Sequence, residues 1–254
     1  MQSDSIQQRT PEVDAGPDSP LRVAPFRWAV GALCAFVGAL MLVEPHQFGA
    51  PVYKVIQPHL QMWGAGFLVA GVALLCVAAL VPRTLVSIVV HAAAGGVLLL
   101  LASGFAGGGI WTAAAIYSVL GIGTALAAIL PALGSGSWAR GDLLALVTGT
   151  GGLLIGLLML LAPGQFGAPS NDAIRPDLAG YGAAFVMSSS CLLAVEIFPL
   201  GSQAVKRIAH LLAGGVFLMF VVRAVWPTPT GVALYGGFGL AFALQPWLAN
   251  RLPR

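Results

Sequence analysis

Charged residues fall in small clusters along this chain, and the stretches between them are long, apolar and uncharged. Residues 28–43 follow Arg27, and residues 60–82 end at Arg83. Residues 84–139 carry no charge and are divided by Gly107, Gly108 and Gly109 into two runs. Residues 143–171 hold a fifth run that ends near Pro163, and residues 178–195 a sixth. The seventh, 208–222, is short, but Lys206, Arg207 and Arg223 can extend their charged heads away from its ends. The last run, 224–250, begins around Pro227 and Pro229. Each approaches the roughly 20 apolar residues that cross a bilayer. Lipid cannot satisfy exposed backbone polar groups, so such runs must be helices, and no β-barrel alternation is present. The pattern predicts an all-α integral membrane protein with eight transmembrane helices.

Composition agrees. Of the 254 residues, 58% are hydrophobic and 8% charged, with a mean hydropathy of +0.89. Soluble proteins are about 25% charged. This excludes a soluble globular domain, a disordered chain and a nucleic-acid binder, and makes the lipid bilayer the primary partner. The net charge of +3 comes from Lys and Arg scattered between the apolar runs. With eight spans, Arg9, Arg22, Arg27, Arg83, Arg140, Lys206, Arg207, Arg251 and Arg254 share the side of both tails. Lys54, Arg175 and Arg223 lie on the other. This nine-to-three separation predicts cytoplasmic termini in a bacterial inner (plasma) membrane. Residues 1–25 read as a disordered cytoplasmic tail. They are not a signal peptide, because Asp4, Glu12, Asp14 and Asp18 occupy the part that should be basic. Cys34, Cys76 and Cys191 sit in apolar runs without metal-ligand spacing and read as packing residues.

The chain also repeats itself. GALMLVEPHQFGAP (38–51) recurs as GLLMLLAPGQFGAP (156–169), with ten of fourteen positions identical at an offset of 118. Pro58, Leu60, Gly64, Ala65 and Phe67 recur as Pro176, Leu178, Gly182, Ala183 and Phe185. His91, Ala94, Gly95, Gly96 and Val97 recur as His210, Ala213, Gly214, Gly215 and Val216 at an offset of 119. Tyr117 and Gly121 recur as Tyr235 and Gly239. The expected architecture is a tandem duplication of a four-helix unit, 26–133 and 142–254, joined by a cytoplasmic linker at 134–141. An even number of spans per copy makes the repeat parallel, with a pseudo-twofold axis along the membrane normal.

Two paired features are candidate sites. The first is the Gln-Phe-Gly-Ala-Pro motif. Gly and Pro suit a helix stop followed by a fixed turn. The functional alternative is a symmetric ligand mouth at the outer face. Gln47, Phe48, Gln165 and Phe166 then form a candidate ligand-binding set with Trp63, Tyr181 and Arg223. Val52, Tyr53 and Ile56 would lie at headgroup level. The second pair is His91 and His210, nine and eleven residues past Pro82 and Pro199. At 1.5 Å per residue that is roughly 13–16 Å into the membrane. Ionisable groups at such depth mark functional sites by default. Two such histidines near an axis would suit a metal or a b-type haem. The reading favoured from the sequence is two neutral histidines hydrogen-bonded within the bundle, beside packing glycines. His46 and His59 have no histidine mates and read as loop residues.

Three charges break the repeat. Arg223 would hold an anionic ligand or pair with Glu44, and Glu196 would pair with Lys206 or Arg83. The 33 glycines predict close helix contacts, a compact bundle and a homodimer.

No nucleophile elbow, zinc-protease helix or phosphate loop occurs in the sequence, and no catalytic residues are proposed. The expectation is a non-enzymatic membrane module that senses or binds a small ligand, or anchors a cytoplasmic signalling domain or partner. In layout it resembles the membrane input part that precedes cytoplasmic signalling domains in bacterial receptors. The alternative is a small transporter or channel built from the duplicated unit, and a further one is a haem-binding electron-transfer subunit.

Overall fold

The computed structural model describes residues 24–50, 53–80, 85–129, 142–167, 171–198, 202–225 and 235–248. The expected N-terminal tail (up to residue 23) and the linker 134–141 lie outside them, as do Val52 and half of the basic residues that set the predicted orientation. Eight α-helices are described: α1 Ala24–Val43, α2 Leu60–Leu80, α3 Leu85–Gly107, α4 Trp111–Ile129, α5 Leu143–Leu161, α6 Leu178–Ile197, α7 Gln203–Phe220 and α8 Gly237–Leu248. Among the described residues seven helices, α1 to α7, are long and apolar enough to cross a membrane. The eighth expected span contributes the 12-residue α8, and the stretch 226–234 ahead of it is outside the described residues.

The upper end of the bundle is taken here as the end bearing the Gln-Phe-Gly motifs; α1, α3, α5 and α7 rise towards it. The helices pack in sequential pairs, α1 on α2, α3 on α4, α5 on α6 and α7 on α8. Three residues join α3 to α4, whereas 16 residues join α1 to α2 and α5 to α6, and each pair runs antiparallel. α4 packs on α5, and α1 touches α8 and α5, so α1, α4, α5 and α8 occupy the centre. The helix surfaces left over are apolar: Val69, Leu80, Leu100, Met187 and Val222 are largely exposed. In water such faces would need a partner; in a bilayer the acyl chains supply it.

Glycine allows the hairpins to close. A Cβ on Gly38 would come within 2.7 Å of Gly64 O, and one on Gly156 within 2.8 Å of Gly182 O. In the other hairpins, Gly95 would meet Gly121 O at 2.9 Å, and Gly214 would meet Gly239 O at 2.8 Å. Real Cβ atoms do not come this close, so backbone meets backbone at these four crossings. Without a hydrophobic drive between helices in lipid, such contact is a main source of association.

At the upper end each of α1 and α5 runs into a short 3₁₀ turn, Pro45–Phe48 and Pro163–Phe166. Proline at the start supplies a fixed φ and lacks the N–H that the turn would leave unpaired. The rings of Phe48 and Phe166 turn back into the core. A second turn, Gln57–His59 or Arg175–Asp177, leads into α2 or α6.

Candidate functional site

The paired motif is built as a brace. Gln57 Nε2 donates to Phe48 O at 2.9 Å, and Arg175 Nη2 donates to Gly167 O at 2.7 Å. Gln57 and Arg175 are 118 apart in sequence, so unlike side chains hold the two loops from the same position. Phe48 also meets Tyr53 edge-on at 5.0 Å. Of the expected ligand set, Phe48 and Phe166 are buried, and Trp63 and Tyr181 pack partly against the core. Gln47 is half-buried with its amide 3.2 Å from His46 Nε2, while Gln165 and Arg223 are exposed. Ile56, expected at headgroup level, is buried beneath its loop, as is its mate Ile174. Glu44 pairs with His46 at 3.2 Å rather than with Arg223.

The two histidines have the same local bond. His91 Nδ1 donates to Ser87 O at 2.7 Å, and His210 Nδ1 donates to Lys206 O at 2.8 Å. Both rings are buried. α3 packs on α2 and α4, and α7 on α6 and α8, so each histidine sits among a different set of helices. Their surroundings differ. His210 Nε2 lies 3.7 Å from Glu196 Oε1, and Lys206 Nζ lies 3.9 Å from the same oxygen. The other carboxylate oxygen accepts from Asp142 N at 3.1 Å. Asp142 itself caps α5, its Oδ1 accepting from Leu144 N at 2.8 Å. This buried knot fastens the lower ends of α5, α6 and α7. In the first half the position of Glu196 is held by Ala78, and there Arg27 Nη2 instead donates to Ala127 O at 3.0 Å, tying α1 to α4. The Lys206 pairing was legible in the sequence. The His210 and Asp142 contacts were not, although an Asp directly before an apolar run is a helix-start signal that could have placed Asp142.

The remaining feature has no counterpart in the sequence reading. At the seam where α4 meets α5, a half-enclosed cavity of about 30 Å³ is lined by Ile116 and Leu120 of α4 and by Val147, Thr148, Gly151 and Ile155 of α5. The rings of Phe217, Tyr235 and Phe238 close its far side. These belong to a wider aromatic cluster in which Phe217 lies 5.1 Å from Phe185, and Phe220 lies 5.1 Å from Tyr235. Thr148 is 7% exposed, and its Oγ1 has no hydrogen-bond partner among the described residues.

No group of three or more His, Cys, Asp or Glu side chains suited to a metal ion occurs among the described residues. The chain matches no protein-family model, no curated protein and no solved structure.

Proposed function

We propose that this chain is a multi-pass module of the plasma membrane that binds a small, weakly polar ligand within the bilayer, in the service of sensing or of anchoring a cytoplasmic signalling partner. In this reading it has eight spans, arranged as a duplicated four-helix unit with both termini in the cytoplasm. The duplication is supported by the matched glycine crossings, the matched 3₁₀ turns and the common histidine bond of α3 and α7. The ligand reading is carried by the seam cavity between α4 and α5, a concave site whose walls are apolar and rich in aromatic rings. Ligand sites are lined predominantly in this way.

Mass spectrometry of the purified, detergent-exchanged protein tests the reading. Gly151 lines the cavity and a Cβ on it would meet nothing within 4 Å, so Gly151→Leu adds bulk at the cavity wall without an immediate clash. The wild type is expected to retain a small molecule through detergent exchange, and Gly151→Leu to lose it. Equal retention by the two proteins would sink the assignment.

A further inference from the structure

We propose that His210 and Glu196 form a proton-operated latch, open while the imidazole is neutral and closed by a proton on Nε2, which fastens the lower ends of α5, α6 and α7 together. This goes beyond ligand binding at the seam and does not depend on it.

The first observation is the tautomer. Lys206 O can only accept, so the hydrogen of a neutral His210 ring lies on Nδ1. Nε2 is then an acceptor, and it faces a second acceptor, Glu196 Oε1, at 3.7 Å. Two lone pairs turned on one another do not attract. A proton on Nε2 makes the ring a donor on both sides and keeps the Nδ1 bond to Lys206 O.

The second observation is distance. A charge-assisted hydrogen bond between nitrogen and oxygen spans about 2.7–2.9 Å. His210 Nε2 and Lys206 Nζ, at 3.7 and 3.9 Å from Glu196 Oε1, both stand just outside that reach. Oε2 is already held by Asp142 N at 3.1 Å, and Asp142 caps α5. Closure is therefore a shift of about 1 Å, within reach of a side-chain rotation. It joins α7, through one carboxylate, to α6 and to the start of α5. The proton passes from water to Nε2, Glu196 stays ionised, and no covalent bond between heavy atoms changes.

The third is the company of the ring. Asp142 brings a second carboxylate to the same end. Lys206 is the opposing cation, but its side chain is 35% exposed and can move out to water as the ring becomes charged. Arg207 is exposed, and α8, which also packs on α7, carries no titratable side chain in Gly237–Leu248. Of the side chains in the knot, histidine is the one whose ordinary charge change falls between about pH 5 and 8. In the first half His91 Nδ1 makes the matching bond to Ser87 O, but Ala78 stands where Glu196 would be.

Nitrogen NMR of the full chain in detergent tests this. His46→Gln, His59→Gln and His91→Gln together leave His210 as the one histidine. Its isotope-labelled ring is expected to carry hydrogen on Nδ1 alone at about pH 8 and on both nitrogens at about pH 5.5. Adding Glu196→Gln should weaken proton binding about ten- to hundredfold, the strength of a hydrogen bond to a charged group. A double-mutant cycle of Glu196→Gln and His210→Phe in the otherwise unaltered chain, read by SDS titration, is independent of those three substitutions. It should give a coupling of about ten- to hundredfold in the unfolding constant at the lower pH and of at most about twofold at the higher. A ring already doubly protonated at the higher pH would make the pair a permanent tie and overturn the proposal. A ring whose Nε2 stays bare at the lower pH, proton binding indifferent to Glu196→Gln, or a coupling equal at both pH values would overturn it as well. Elution as a single species in size exclusion shows that each variant is folded.

Discussion

Glu196 Oε1 lies 3.7 Å from His210 Nε2, inside the lower end of the bundle, with 4% and 3% of the two side chains exposed. The same carboxylate reaches Lys206 and the backbone of Asp142, so one side chain joins three helices. Truncating Glu196 removes a buried acceptor, at a cost of about 1–3 kcal/mol. Glu196→Ala should therefore lower the thermal midpoint in detergent by about 3–10 °C. Glu196→Gln keeps an acceptor for Asp142 N and should fall between Ala and wild type. Glu44→Ala removes an exposed ion pair and should change stability by less than about 1 kcal/mol. Glu196→Ala behaving like Glu44→Ala would refute the structural role of the knot.

The glycine crossings predict a contrast between residues of one type. A Cβ on Gly38 would overlap the backbone of Leu68. Gly38→Ala and Gly156→Ala should force their hairpins apart and destabilise the protein by about 1–3 kcal/mol, the range for overpacking. Gly96→Ala and Gly215→Ala introduce a methyl that meets nothing within 4 Å. There the lower chain entropy of alanine should be neutral or stabilising by about 0.5–1 kcal/mol. Thermal unfolding of the four variants in one detergent checks the order, and equal effects at all four positions would contradict the close-contact geometry.

The upper loops predict a gradient. Phe48 is fully buried, and Phe48→Ala should cost about 3–5 kcal/mol through the cavity it leaves. Gln57→Ala removes one hydrogen bond to the same loop and should cost about 1 kcal/mol. If the loop were instead a ligand mouth with little structural role, Phe48→Ala would leave the thermal midpoint unchanged and alter binding alone.

Topology is open to a direct measurement. The proposed eight spans require reporter fusions at both ends of the chain to report the cytoplasm. Fusions reporting opposite sides would mean that the region around α8 does not cross, leaving the seven long helices as the spans.

Much of the fold could be read before any coordinates. The charge-free runs mark where α1 to α7 lie because lipid admits no charge and no unpaired backbone, a constraint felt residue by residue. The last run is harder: Pro227 and Pro229 interrupt it, and α8 begins at Gly237. The Gln-Phe-Gly-Ala-Pro repeat marked two equivalent loops, and their paired placement at the outer face suggested a mouth. Phe48 and Phe166 point inward instead, because the proline-led turn folds each ring back over the hairpin.

Periodicity and charge spacing thus determined the class of molecule, the place of its long helices and the repeated segments, since each depends on local chemistry or on comparison within the chain. Other features arise where distant segments meet. The contact of His210 with Glu196 is one of these, because packing sets α7 against α6. Thr148 differs from Thr150 in nothing that a sequence can express. One hydroxyl finds its own backbone while the other has no partner among the described residues, its residue lining a cavity made jointly by α4, α5, α7 and the start of α8. That difference is set by which face of α5 turns toward the seam, and only tertiary packing decides it.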